Sequence, residues 1–324
     1  MDRVRLGMTE LQVSPIAFGT WQLGGDWGDV DEEAATAAIQ HARAQGINFF
    51  DTAQAYGFGA SERLLGRVLR DELEHRRDEV VIATKGGLRM TENGMVRDSS
   101  REWLRQGVEE SLRALGTDYI DLFQVHWPDP NIPFAATAEA LQELVDEGKI
   151  RHVGVSNFDV SEMIKFGFTR PVETLQPPYN LFRRDIVREE LPYAAEHDIG
   201  VLAYGPLAHG LLTGAMNEST EFSSDDWRSG SPLFQGDAFR RNLETVRALD
   251  RFARAYGYGV SELAVAWVLS HPAVDVAIVG SRSPAHIQGA IDALEVDLSR
   301  DELDEIQDIM DGAVPVGGPS PESV

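Results

Sequence analysis

The chain has 324 residues, 43% of them hydrophobic and 25% charged, with a formal net charge of −24 and no cysteine. This is enough apolar material for a substantial core; the acidity argues against nucleic-acid and anionic-membrane partners, and the lack of cysteine removes disulfides, thiolate metal sites and cysteine nucleophiles together. No run reaches the roughly 18 apolar residues of a membrane span, and no apolar stretch follows Met1-Asp2-Arg3-Val4-Arg5, which reads as a cytoplasmic protein.

Residues 4–6 and 11–13 flank Gly7-Met8-Thr9-Glu10 and suggest a hairpin over 1–14, placed to plug the bottom of a barrel. Short apolar runs then recur at 16–18, 48–50, 80–83, 120–125, 152–155, 174–176, 200–203 and 274–279. They have the composition of strands buried on both faces. Helical patterns lie between them. Ala35, Ala38, Ile39 and Ala42 share one helix face, as do Leu104, Val108, Leu112 and Leu115. Ser99 and Glu102 stand at capping-box spacing, and Gly46, Gly116 and Gly148 sit where helices should stop. The seventh and eighth strands are separated by a polar loop near 218–236 and two helices near 239–256 and 261–270. Ser299 and Glu302 open a last helix ending near Met310, and the Gly-, Pro- and Ser-bearing tail 311–324 is expected to be flexible.

Eight strands alternating with helices predict an α/β fold, a (β/α)8 TIM barrel, as one domain over 1–310. The rival is a doubly wound open sheet. It would place a glycine-rich fingerprint after the first strand, whereas Gly57-Phe58-Gly59 follows the second and is followed by Glu62 at the sixth position.

In such barrels chemistry sits at the C-terminal strand ends. Those ends carry Asp51 and Tyr56, Lys85, His126 and Trp127, Ser156 and Asn157, Gln176, Tyr204, and Gly280-Ser281-Arg282. Taken singly, each has an ordinary structural explanation, such as a turn aspartate, a packed tyrosine or a core histidine. Together Asp51, Tyr56, Lys85 and His126 form an acid–base set: the lysine stabilises a tyrosinate, the aspartate holds the lysine, and the histidine donates to a substrate oxygen.

Around these residues run Phe50-Asp51-Thr52-Ala53, Tyr56-Gly57, Ser61-Glu62, Leu115-Gly116-Thr117-Asp118-Tyr119-Ile120-Asp121-Leu122, Gly154-Val155-Ser156-Asn157-Phe158, Gln176-Pro177-Pro178-Tyr179-Asn180 and Ala203-Tyr204-Gly205-Pro206-Leu207. Over nearly its whole length the chain resembles the aldo-keto reductase family, most closely its bacterial reductases and sugar or inositol dehydrogenases. The resemblance implies a nicotinamide-dependent oxidoreductase interconverting carbonyl and alcohol, with Tyr56 as general acid in reduction, Lys85 and Asp51 poising it, and His126 orienting the carbonyl. It further implies that Ser156, Asn157 and Gln176 bind the nicotinamide carboxamide, Tyr204 stacks on the ring, and the backbone near Leu207, Gly210 and Leu211 meets the pyrophosphate. Gly280, Ser281 and Arg282 would meet the adenosine phosphate. The chain departs from the family's usual Gln and Asn in carrying His286 and Ala290 near the adenine.

NADP(H) is expected over NAD(H), because Arg282 offers a planar charged fork two residues past Gly280 and nothing acidic stands beside it in the sequence. Trp21 and Trp127 are candidate substrate contacts, and residues 205–236 a candidate flap over the cofactor. Two alternatives remain: a Schiff-base aldolase through Lys85, and a cofactor-binding regulatory subunit with little turnover. The histidines show no metal-ligand spacing, and Asp51 lacks the facing carboxylate of a glycosidase.

Overall fold

In a computed structural model, residues 1–25, 30–224 and 226–315 are described. Eight parallel strands close into a barrel in chain order: β1 (Ile16–Gly19), β2 (Phe49–Asp51), β3 (Val81–Gly86), β4 (Ile120–Val125), β5 (Ile150–Ser156), β6 (Thr174–Gln176), β7 (Gly200–Tyr204) and β8 (Val276–Gly280), which pairs back onto β1. The expected (β/α)8 barrel is therefore the fold. No helix among the described residues is long and apolar enough to cross a membrane.

The apolar residues divide into two layers. One lies between the strands and the surrounding helices, where Ala35, Ala38, Ile39, Leu104 and Val108 are fully buried. The other fills the barrel with Ala17, Phe49, Val81, Ala83, Leu122, Leu202, Val276 and Ile278, joined by Leu6, Leu11 and Val13. Those last three belong to the hairpin whose strands are Val4–Arg5 and Gln12–Val13, so its apolar side chains continue the barrel interior. Strand side chains alternate with period two. The next inward positions after Phe49, Ala83, Leu122 and Leu202 are thus Asp51, Lys85, Gln124 and Tyr204.

Several boundaries differ from the sequence expectation. Asp51 closes β2 as expected, but Thr84 and Lys85, which read as the end of the third strand, are interior to β3, whose six residues are all buried. The ladder continues because their side chains are satisfied internally, Thr84 Oγ1 by Glu62 (2.7 Å) and Lys85 by the site below. The helix Arg101–Leu115 is capped by Ser100 rather than Ser99, whose N–H donates to Asp129 instead. A hairpin of Leu88–Thr91 and Gly94–Arg97 was missed, although Asn93-Gly94 between alternating residues signals one. The final helix, Arg300–Met310, carries the expected Ser299/Glu302 capping box. Beyond it Asn242, 2% exposed, bonds both the N–H (2.8 Å) and the C=O (3.0 Å) of Val314, so the chain is docked that far. The rest of the expected flexible tail, 316–324, lies outside the described residues.

Candidate active site

The polar layer at the barrel mouth is built around one ammonium. Lys85, 1% exposed, donates to Asp51 Oδ1 (2.6 Å), to Thr52 O (2.9 Å) and to Tyr56 OH (3.1 Å). An ammonium has three protons, and all three are placed. The other carboxylate oxygen of Asp51 accepts from Gln176 Nε2 (2.9 Å) and Gln124 Nε2 (3.5 Å). A buried pair is tolerable only when its remaining lone pairs are met in this way. Gln124 escaped the sequence reading, yet period two from Leu122 places it in the inward file.

Tyr56 reaches the mouth from the turn after β2. Gly57 makes that turn possible: its φ is +59°, and a Cβ there would lie 2.5 Å from Gly24 O. The Tyr56 ring, 6% exposed, meets His126 edge-on (centroids 5.8 Å apart) and stacks on Trp21 (6.5 Å). His126 is anchored through its backbone, its N–H donating to Gly86 O (2.9 Å) and its C=O accepting from Asn157 Nδ2 (3.0 Å). The phenol oxygen thus meets a cation, and the ring that carries it meets an imidazole.

A cavity of about 1070 Å³ opens over this set, lined by Trp21, Asp51, Tyr56, His126, Ser156, Asn157, Gln176 and Tyr204. It continues past Leu207 and Gly210 to Gly280, Ser281, Arg282 and His286. Tyr204 OH donates to Asn157 Oδ1 (2.9 Å), which fixes that ring at the rim. Ser156 Oγ donates to Gln176 O (2.9 Å). Trp127 is not among the residues lining the cavity, and Arg97 lies over its ring at 5.2 Å. The side chain of Leu211, 1% exposed, packs into the outer core, and the contact expected of this segment is through its backbone. Gln176 lines the wall, but its amide nitrogen is committed to Asp51. The sequence reading also missed Gln22, whose amide lies where a Cβ on Gly280 would fall (2.0 Å) and whose buried Oε1 accepts no hydrogen bond among the described residues.

Segment 205–236 supplies much of the outer wall. Trp227 stacks on Trp21 (6.4 Å, 22°), and the His209 ring meets both edge-on (5.0 and 6.2 Å). Burial, with the charges of Arg183 and Arg228, pushes His209 down to about 4, so it is neutral at pH 7. Arg228 grips Asp226 (Nε–Oδ1 3.0 Å, Nη2–Oδ2 2.5 Å) and donates to His209 O (3.1 Å). Asp226 is 5% exposed. Burial pushes its carboxyl up, but the bonds and charge of Arg228 and the charge of Arg282 outweigh that and hold it below the usual range. The expectation that nothing acidic stands near Arg282 is therefore overturned. Asp226, 56 residues earlier in the chain (282 − 226), is brought there by the fold.

A lysine bonded to an aspartate and a tyrosine hydroxyl, beside a histidine, at the mouth of a closed barrel brings together the groups that carbonyl oxidoreduction can use. The profile of the Aldo/keto reductase family matches residues 15–311. The aldo-keto reductase YhdN of Bacillus subtilis is 42% identical over 98% of this chain and 96% of its own length. An aldo-keto reductase [NADP(+)] of Schizosaccharomyces pombe is 32% identical over 95% of this chain and 92% of its own. The NADH-specific methylglyoxal reductase of Escherichia coli is 30% identical over 92% and 95%. Among solved structures, a glycerol dehydrogenase of Gluconobacter oxydans superposes with a TM-score of 0.88, at 40% identity, over 99% of this chain and 98% of its own. The chain belongs to the aldo/keto reductase family, oxidoreductases that act on the carbonyl or alcohol group of small molecules with a nicotinamide cofactor.

Proposed function

We propose that this protein interconverts an aldehyde or ketone and its alcohol with NADP(H), Tyr56 serving as general acid in reduction and general base in oxidation. The observation that carries the reading is Lys85 donating to Asp51 and to Tyr56 OH together. With the ammonium bonded to the phenol oxygen, the phenol's own proton is directed elsewhere, and the negative charge left after its departure is stabilised at 3.1 Å. His126, edge-on to the same ring, is positioned to hold the substrate oxygen that takes the proton. A bound reduced nicotinamide would supply the hydride.

The cavity has the chemistry to hold that cofactor. Arg282 suits a phosphate, Gln22 Oε1 is an acceptor awaiting a hydroxyl, and the left-handed residues His209 and Gly210 turn the backbone at the wall. Ser156, Asn157 and Gln176 stand for the carboxamide, Tyr204 for the ring, and Leu207 and Gly210 for the pyrophosphate. We take residues 1–310 as one domain and 205–236 as the flap that closes on the cofactor. Trp21 and Tyr56 give the cavity wall a flat apolar face for a small carbonyl. A Schiff base at Lys85 is disfavoured, because an ammonium donating three bonds has no lone pair to attack with.

The reading is tested by following the absorbance of reduced nicotinamide against a panel of aldehydes and ketones. Consumption with at least one is expected. Tight cofactor binding with no turnover on any would favour the regulatory-subunit alternative.

Cofactor choice has its own test. Arg282 is exposed, so its phosphate contact is placed at the low end of a charge-assisted bond, roughly tenfold in affinity. Arg282→Ala should weaken NADPH by about that factor and spare NADH, while Asp226→Asn, which removes the charge facing Arg282, should tighten NADPH. Saturating NADPH should also slow amide exchange over 226–230. Equal losses of both cofactors in Arg282→Ala, or unchanged exchange in the flap, would refute the assignment.

A further inference from the structure

The cavity does not stop at the strand ends. Beyond Arg282 it runs into a cleft between two helices, Val260–Leu269 and Pro284–Asp292, walled by Ser261, Glu262, Ala285, His286 and Gly289. The acid–base set occupies the barrel mouth, so a dinucleotide whose reactive ring stands beside Tyr56 and whose phosphate meets Arg282 must place its second base in this cleft. Of the two departures noted near that base, Ala290 is only 5% exposed and belongs to the outer core, so it has no polar contact to give. His286 donates its backbone N–H to Ser283 Oγ (3.4 Å) and is exposed. The polar group that faces the cleft comes instead from the other helix.

That group is Glu262. Its Oε2 accepts from Ser261 Oγ (3.0 Å). Its Oε1 is directed across the cleft at Gly289, 3.5 Å from where a Cβ would stand, and accepts no hydrogen bond among the described residues. The missing side chain at Gly289 leaves room for a flat ring edge. An ionised carboxylate only accepts hydrogen bonds. The base it suits therefore presents an N–H donor, such as the exocyclic amine of adenine. A base with a carbonyl oxygen at that position would set two acceptors against each other, and a desolvated mismatch of this kind discriminates strongly.

Building on the nicotinamide-dependent reading above, we infer that Glu262 reads the second base of the dinucleotide, accepting a hydrogen bond from its exocyclic amine. The cofactor class is an adenine dinucleotide, selected against its hypoxanthine counterpart. The residue is a specificity determinant remote from the reacting atoms.

The test titrates the full chain with NADPH and with reduced nicotinamide hypoxanthine dinucleotide phosphate, read by quenching of tryptophan fluorescence. The wild type should bind the adenine form roughly 10-fold or more tightly, the weight of one charge-assisted hydrogen bond. Glu262→Gln, whose amide can donate as well as accept, should bring the two dinucleotides to within about threefold, since it satisfies either base edge. Glu262→Ala should lose the preference as well, by weakening the adenine form. Equal wild-type affinity for both bases, or a preference that survives both substitutions, would overturn the inference alone. Failure of the wild type to bind either dinucleotide would overturn the nicotinamide-dependent reading and this inference together.

Discussion

Lys85→Met is expected to yield a protein that folds, is measurably less stable, and turns over at least 10²–10⁴-fold more slowly, the usual weight of general acid–base catalysis. The stability loss follows from Asp51. Removing the ammonium leaves a buried carboxylate with only the Gln176 and Gln124 amides, and breaking a buried pair on one side costs about 3–5 kcal/mol. The loss of turnover follows from Tyr56, which forfeits the cation that stabilises charge on its oxygen. The two effects separate in the double variant Lys85→Met with Asp51→Asn. Neutralising the orphaned carboxylate should restore much of the melting temperature and none of the rate. Recovery of turnover along with stability would reduce Lys85 to a structural residue. Asp51→Asn alone should be the milder lesion, because Asp51 acts on the phenol only through Lys85, which keeps its bonds to Thr52 O and Tyr56 OH.

Tyr56→Phe is the second large effect, a fall in kcat of roughly 10²–10⁴-fold with cofactor affinity near wild type. The phenyl ring retains the packing on Trp21 and His126, so the mouth keeps its shape. What disappears is one oxygen: the proton donor and the third acceptor of the Lys85 ammonium. The stability change should stay near the ~1 kcal/mol of a single hydrogen bond, since the exposed end of the cavity lets water take its place. The variant separates the two polar groups facing the substrate. If turnover stays close to wild type while His126→Ala abolishes it, the proton comes from the imidazole and the assignment of Tyr56 fails.

The barrel is legible in the sequence because its strands are buried on both faces. Doubly buried strands must be continuous apolar runs, and eight of them separated by amphipathic helices leave few closed architectures. The final helix is legible for a local reason as well: a Ser299/Glu302 box is complete within four residues. The end of β3 was not. Lys85 looks like a terminator to any reading along the chain, because a lone polar side chain in an apolar run has no visible partner. Its partner is Asp51, across 34 residues of sequence.

That Asp51, Tyr56, Lys85 and His126 share one mouth was readable from the sequence alone, since period two and the strand-end rule bring them together, and the structure places them there. Tertiary structure decided what surrounds them. It turned Gln176 toward Asp51 with Gln124 beside it, carried Trp127 off the wall onto Arg97, and swung Asp226 from a distant loop into the field of Arg282. It also aimed Glu262 across a cleft at Gly289, from a different helix than the one bearing His286. The division has a physical cause. Which residues share a strand face is a local, periodic property of the backbone. Which charges meet across loops and helices depends on long-range packing, and a carboxylate's field is felt over ångströms of space whatever the number of residues between it and its partner.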